Sequence, residues 1–300
     1  MNPTEPLIKK GWTRVLVFCV LYFAVLLAGS FLILLLMMAT NVAGNMQDAL
    51  EQLNKQDSIM PILFIVLYNF VIGVLFVFLF RKFIDKKTVF SLGWDLKNHV
   101  SHALIGLCAA VAIIGIGTFI LIAFKYLRFT GWIINGQDLF ISLGIMVFVA
   151  VAEEMVFRGY ILNNLMQSTS RYAALAISAA IFGIAHATNP NFSWIAFINI
   201  ILAGFILGIN YIYTQNLWYA VVFHFAWNFL QGPIVGYEVS GLNFQSVFQL
   251  EINGNEIITG GKFGFEGSIV ASVLVIIATL VQAYVYEKKL KASALISSSS

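Results

Sequence analysis

The chain has 300 residues, of which 60% are apolar and only 10% charged, giving a mean hydropathy of +0.89 and a formal net charge of +3. A soluble globule of this length exposes far more charged surface, so a water-exposed fold is excluded. The small basic excess lies at the edges of apolar runs and forms no stripe suited to a phosphate backbone, which excludes nucleic acid as a partner.

Apolar segments of about 20 residues can cross a hydrocarbon core of roughly 30 Å at about 1.5 Å per residue. Eight helices are predicted, near residues 15–39, 60–80, 102–124, 139–168, 172–187, 194–213, 217–231 and 267–286. Lys9, Lys10 and Arg14 before the first of them resemble the charged flank of a signal peptide, but an apolar stretch from Val15 to Ala39 is too long for a typical signal core and reads as an uncleaved span. With the N-terminus cytoplasmic, thirteen Lys and Arg fall inside and only Lys55, Lys125, Arg128 and Lys262 outside. That bias satisfies the positive-inside rule and supports an even number of spans. The connection from Gly232 to Glu266, with four Glu and one Lys, is expected outside. Trp12, Trp132, Trp194 and Trp218 sit at predicted span ends, where aromatic anchors are common. Cys19 and Cys108 lie in apolar runs and read as small membrane-buried side chains, with no disulfide or thiolate site implied.

The predicted fold class is therefore all-α, a polytopic membrane helical bundle of about eight transmembrane helices with cytoplasmic N- and C-termini, forming a single membrane domain over residues 1–300. No repeat or heptad register interrupts it. Residues 1–100 offer two spans with nothing beyond hydrophobicity, while polar groups concentrate between 150 and 230.

Within the predicted spans the formal charges are Glu153, Glu154 and Arg158. A charge at a span centre costs about 2.5 to 3.5 kcal/mol on the insertion scale, so packing alone does not select this trio. On a helix Glu154 and Arg158 are i and i+4 with the acid N-terminal, the favourable order for an ion pair, which leaves Glu153 about 100° away and free for other work. A structural ion pair at a solvated helix end is the plain alternative. The histidines alter the balance: His186 follows Phe182 by four residues, and His224 precedes Asn228 by four, all inside predicted spans. The midpoint of Glu153 and His186 falls in Ser168-Thr169-Ser170, so a helical hairpin closing there sets both at one depth. His224 lies seven residues past Leu217, roughly 10 Å into its span, with Asn228 one turn deeper on the same face. Gly204 and Gly208 make a small-xxx-small face that reads as packing, and Asn199 and Asn210 read as interhelical hydrogen-bonding groups.

A carboxylate and an imidazole at one depth can hold and deprotonate a water that attacks a carbonyl. A second imidazole one turn from a carboxamide can stabilise the developing oxyanion. These are parts for peptide hydrolysis without a Ser or Cys nucleophile. Zinc is the competing chemistry, since it accepts His and Glu ligands and activates the same water, although the spacing is not His-Glu-x-x-His.

The ordered set Glu153-Glu154-x-x-x-Arg158, Phe182-x-x-x-His186 and His224-x-x-x-Asn228 on successive spans resembles the CPBP family of membrane proteases. That family includes the eukaryotic enzyme that removes the last three residues of prenylated CaaX proteins and bacterial relatives linked to bacteriocin immunity. The resemblance covers residues 139–231, helices four to seven, as a catalytic core. It implies Glu153 as general base, His186 as the group that positions the water, Glu154 held by Arg158 to shape the site, and His224 with Asn228 at the oxyanion. Phe182 and Arg158 are implied as structural support. It also implies a site opening to the cytoplasm and no cofactor, with zinc the alternative because the family has long been described as metalloproteases. The expected partners are the lipid bilayer and a membrane-tethered peptide or protein substrate. The expected location is a prokaryotic cell membrane, as a multi-pass protein. A proton-coupled transporter using the same groups as a relay, or a non-catalytic immunity or scaffold protein, are the other readings; against the first, no inverted repeat is visible.

Overall fold

The computed structural model describes residues 5–39, 44–45, 47 and 59–299, with side chains up to residue 293. Among these residues the chain forms eight principal helices: α1 (Gly11–Ala39), α2 (Ile59–Leu79), α3 (Val100–Ala123), α4 (Gly136–Glu154), α5 (Arg171–Ala185), α6 (Trp194–Thr214), α7 (Trp218–Phe229) and α8 (Ile269–Ser299). All eight coincide with the helices expected from hydropathy. Six are long and apolar enough to cross a membrane; α5, at 15 residues, and α7, at 12, are shorter. The chain is a multi-pass helical membrane bundle.

Local sequence explains the element ends. The Asn135 side chain accepts from the backbone N–H groups of Gln137 and Asp138 to start α4, Ser170 caps α5 through Ala173 N–H, and Ser193 caps α6 through Ala196 N–H. Each side-chain oxygen satisfies donors that a helix start leaves free, a strong requirement where water is scarce. Past Glu154 the helix continues as a π-type segment, Met155–Leu162, before a last turn at Asn163–Leu165, so the whole rod runs 30 residues. A similar wide segment, Leu230–Val235, extends α7 and ends at Gly236 with φ of 101°.

The hairpin of α4 and α5 closes through residues 166–170, as the midpoint count required. Helix α6 returns against α5 through its glycines: a Cβ added at Gly204 would come within 2.7 Å of the Ala179 Cα, and one at Gly208 within 2.4 Å of Leu175 Cδ1. Gly204→Leu is accordingly expected to lower stability by about 1–3 kcal/mol through overpacking. Thermal unfolding in detergent reads this, with Gly144→Ala, where a Cβ meets nothing within 4 Å, expected to be neutral.

Two features depart from the sequence reading. The connections expected outside are joined by a small antiparallel sheet of β1 (Leu127–Trp132) and β2 (Phe248–Ile252), with Leu127 opposite Ile252. The second is a set of buried charges at the basic end of the bundle. Arg14 falls inside α1, and Arg81 in the wide turn that ends α2; both point at Asp85, at 3.0 and 2.8 Å, and all three are at most 2% exposed. Glu153, Glu154 and Arg158 are therefore not the sole buried charges of the bundle. Gln167 accepts from Arg14 at 2.8 Å and Ser91 from Arg81 at 2.8 Å, so the cluster ties α1, α2 and the α4–α5 turn together.

Candidate active site

Glu153 and Glu154 end the regular part of α4, where the switch to the π-type segment begins. Such wide turns often occur at functional positions. The two carboxylates point apart, as their helical offset requires. Glu154 is fully buried; its Oε1 accepts from Arg158 Nη1 at 2.9 Å and faces His224 Nδ1 at 2.8 Å. Arg158, 1% exposed, donates its other arm to the Gly204 carbonyl at 3.3 Å and lies over the Phe182 ring at 4.4 Å. Phe182 also packs edge-on to Phe157 and leans on His186 with ring centres 4.4 Å apart.

His186 stands at the C-terminal end of α5, and its Nδ1 is 2.8 Å from the Phe182 carbonyl. A carbonyl only accepts, so this nitrogen carries the proton. The same reasoning assigns the Nδ1 proton of His224, which faces the Glu154 carboxylate. With Nδ1 so committed, each ring turns its Nε2 toward Glu153: Oε2 lies 3.6 Å from His186 Nε2 and 3.9 Å from His224 Nε2. Those separations exceed direct hydrogen-bond length and leave room for a bridging donor. Asn228, 7% exposed, lines the same space one turn beyond His224 on α7. All five residues expected at the reacting centre, and both expected supports, are thus brought together around one point.

Imidazole nitrogens and a carboxylate are zinc-type donors. Among the described residues, however, no group of three or more His, Cys, Asp or Glu closes to the spacing of a metal shell. Glu154, the next carboxylate, is turned to Arg158 and His224 instead.

The site opens into a cavity of about 270 Å³. Most of its lining lies on one side of Glu153: Met146 and Val149 earlier on α4, Asn69 on α2, and Val239, Ser240 and Phe244 from the connection between α7 and α8. This side is away from Arg158 and the basic connections. Here α5 and α6 meet just past His186, at residues 186–193, and the α7–α8 connection packs over them, Asn191 Nδ2 donating to the carbonyls of Gly241 and Lys262. Non-helical backbone at membrane depth is tolerated where it is packed on protein or lines a cavity, and this roof does both.

Asn199, read from sequence as interhelical glue, is what pins the roof. Its Nδ2 donates to the carbonyls of Glu266 and Ser268, each at 2.8 Å. Asn210 does act between helices, donating to the Tyr286 hydroxyl on α8. Glu266 itself is buried and lines the cavity. It went unnoticed in the sequence because it lies outside the spans, where a charge raises no suspicion; only the roof's fold reveals it.

Residues 135–230 match the family model Rce1-like, described as type II CAAX prenyl endopeptidase Rce1-like. The match, over 96 of the 300 residues, is consistent with a CPBP-type intramembrane protease. It supports a CAAX-protease-type endopeptidase embedded in the membrane and acting on a membrane-associated peptide. No curated protein matches the chain.

Proposed function

We propose that this protein hydrolyses a peptide bond of a membrane-tethered substrate with a water activated by Glu153 and His186 and an oxyanion held by Asn228 and His224, without a metal. The observation that carries this reading is the convergence of Glu153 Oε2, His186 Nε2 and His224 Nε2, with both Nδ1 atoms already committed elsewhere.

A water between Glu153 and His186 donates one proton to each, which leaves its oxygen lone pair aimed at the substrate carbonyl. As the oxygen attacks, Glu153 takes the proton, and the carbonyl electrons move onto the oxygen. Asn228 donates its carboxamide N–H to that oxyanion. His224 can join it only through Nε2, and only when that atom carries a proton, with the Glu154 carboxylate at Nδ1 balancing the imidazolium. Collapse of the tetrahedral intermediate breaks the C–N bond, and Glu153 returns its proton to the leaving nitrogen. Glu154 and Arg158 are positioning residues, acting through His224.

The matched family's name points to prenylated CAAX proteins as one substrate class. Comparing new peptide termini in membranes bearing the wild-type chain or its Glu153→Ala form identifies the natural substrate. For the mechanism, purified protein is expected to cleave at an unchanged rate after chelator treatment, with metal content far below one per chain. Loss of cleavage on chelation, restored by zinc, would overturn the metal-free reading in favour of zinc.

A further inference from the structure

The mechanism leaves one buried carboxylate of the cavity without a part. Glu266 lies in the short turn Phe265–Gly267 that ends the roof, is 8% exposed, and lines the same cavity as Glu153, His186, His224 and Asn228. Its Oε1 accepts from both the backbone N–H and the hydroxyl of Ser240, the latter at 2.7 Å. Both bonds fall on that one oxygen, leaving Oε2 without a protein donor among the described residues. The backbone beneath is rigidly held by the two Asn199 bonds, and Asn199 in turn accepts from Ser272 Oγ at 2.5 Å. Oε2 is thereby kept at a fixed place on the cavity wall.

A carboxylate is a costly way to cap one serine. Its burial raises the carboxyl pKa, against the opposing effect of the Ser240 bonds, and a neutral amide would supply the same single acceptor. An ionised group in such a place calls for a countercharge. Among the described residues lining the cavity there is no Lys or Arg. Arg158 is committed to Glu154, and the histidines are held through Nδ1. A cationic group that enters the cavity favours the ionised form and meets the free Oε2.

We propose that Glu266 is a specificity-determining residue whose Oε2 accepts a hydrogen bond from an ammonium or guanidinium group of the substrate peptide. This inference rests on the protease reading above and narrows its substrate class. A peptide with Lys or Arg near the scissile bond is favoured.

The test uses membrane-tethered peptides that differ only in carrying Lys, Gln or Glu at each position flanking the cleaved bond. Wild-type kcat/KM is expected to be about tenfold higher for the best Lys peptide than for its Gln counterpart, the size of one charge-assisted hydrogen bond. In Glu266→Gln, which keeps an acceptor for Ser240, that preference is lost while cleavage of the Gln peptide is retained; Ser240→Ala keeps the preference. Equal wild-type cleavage of the Lys and Gln peptides overturns the proposal without needing any variant, as does a preference that survives Glu266→Gln. Peptide binding to Glu153→Gln protein, compared with Glu153→Gln/Glu266→Gln, decides the matter separately from catalysis. Tighter binding of the Lys peptide, lost in the double variant, supports the Glu266 role even if no peptide is cleaved and the protease reading fails; equal binding of the Lys and Gln peptides overturns it.

Discussion

Replacing Glu153 with Gln is expected to reduce peptide cleavage by about 10²- to 10⁴-fold, the usual contribution of a general base, while leaving the bundle folded. The side chain is half-open to the cavity and makes no bond on which packing depends; its nearest polar neighbours are the two Nε2 atoms at 3.6 and 3.9 Å. An amide presents an N–H or a weaker acceptor where the water must lose a proton, so the attacking hydroxide is not formed. His186→Ala and His224→Ala are expected to abolish cleavage as well, the first removing a group that holds that water and the second a group at the oxyanion. Single-turnover cleavage measured beside thermal unfolding separates a lost proton acceptor from a lost fold. Wild-type-like cleavage in any of the three variants would sink the assignment. A proton-coupled carrier would instead retain no cleavage in the wild type and show substrate-dependent proton flux in liposomes.

The parts of the site that could be read in the sequence are those set by local geometry. Glu154 and Arg158 pair at 2.9 Å because i and i+4 share a helix face, and Glu153 meets His186 because an antiparallel hairpin folds about its midpoint. The spans themselves follow from runs of apolar residues that no soluble fold could accommodate. What could not be read depends on contacts distant in sequence. Arg14 and Arg81 count among the flanking charges that orient a membrane protein, yet both meet Asp85, Arg14 across 71 residues, and are sealed by Gln167 and Ser91. The i, i+4 spacing of Arg81 and Asp85 was the available signal for that cluster. The α7–α8 connection could be judged external by its acidic balance, but not that it would turn back over α5 and α6 to roof the cavity. That outcome follows from Asn199, whose two bonds to Glu266 and Ser268 span 67 and 69 residues. The wide helical turn after Glu154 has no marker in a helix-compatible sequence such as Met155-Val-Phe-Arg-Gly, and it arises where Arg158 must reach both Glu154 and the Gly204 carbonyl.

The buried pair beneath the histidine carries the second large effect, on stability. Arg158→Ala strands the Glu154 carboxylate, which is fully buried and already has an Oε2 with no hydrogen-bond partner. Removing one member of such a pair costs about 3–5 kcal/mol, because the remaining charge has nowhere to go. The loss also opens a space over Phe182, where the guanidinium lies 4.4 Å from the ring centre. Replacing both charges by shapes of similar volume, as in Glu154→Gln with Arg158→Met, is expected to recover most of that stability, since neither group is then an unpaired ion. Cleavage should not return with it. His224 Nδ1 faces Glu154 at 2.8 Å, and an amide in that place neither fixes the ring as firmly nor balances a proton on Nε2. Thermal unfolding and kcat measured on the two single variants and the double variant read these effects independently. Recovery of stability without recovery of kcat assigns the Glu154–Arg158 pair to the positioning of His224, whereas parallel recovery of both would reduce it to a packing element.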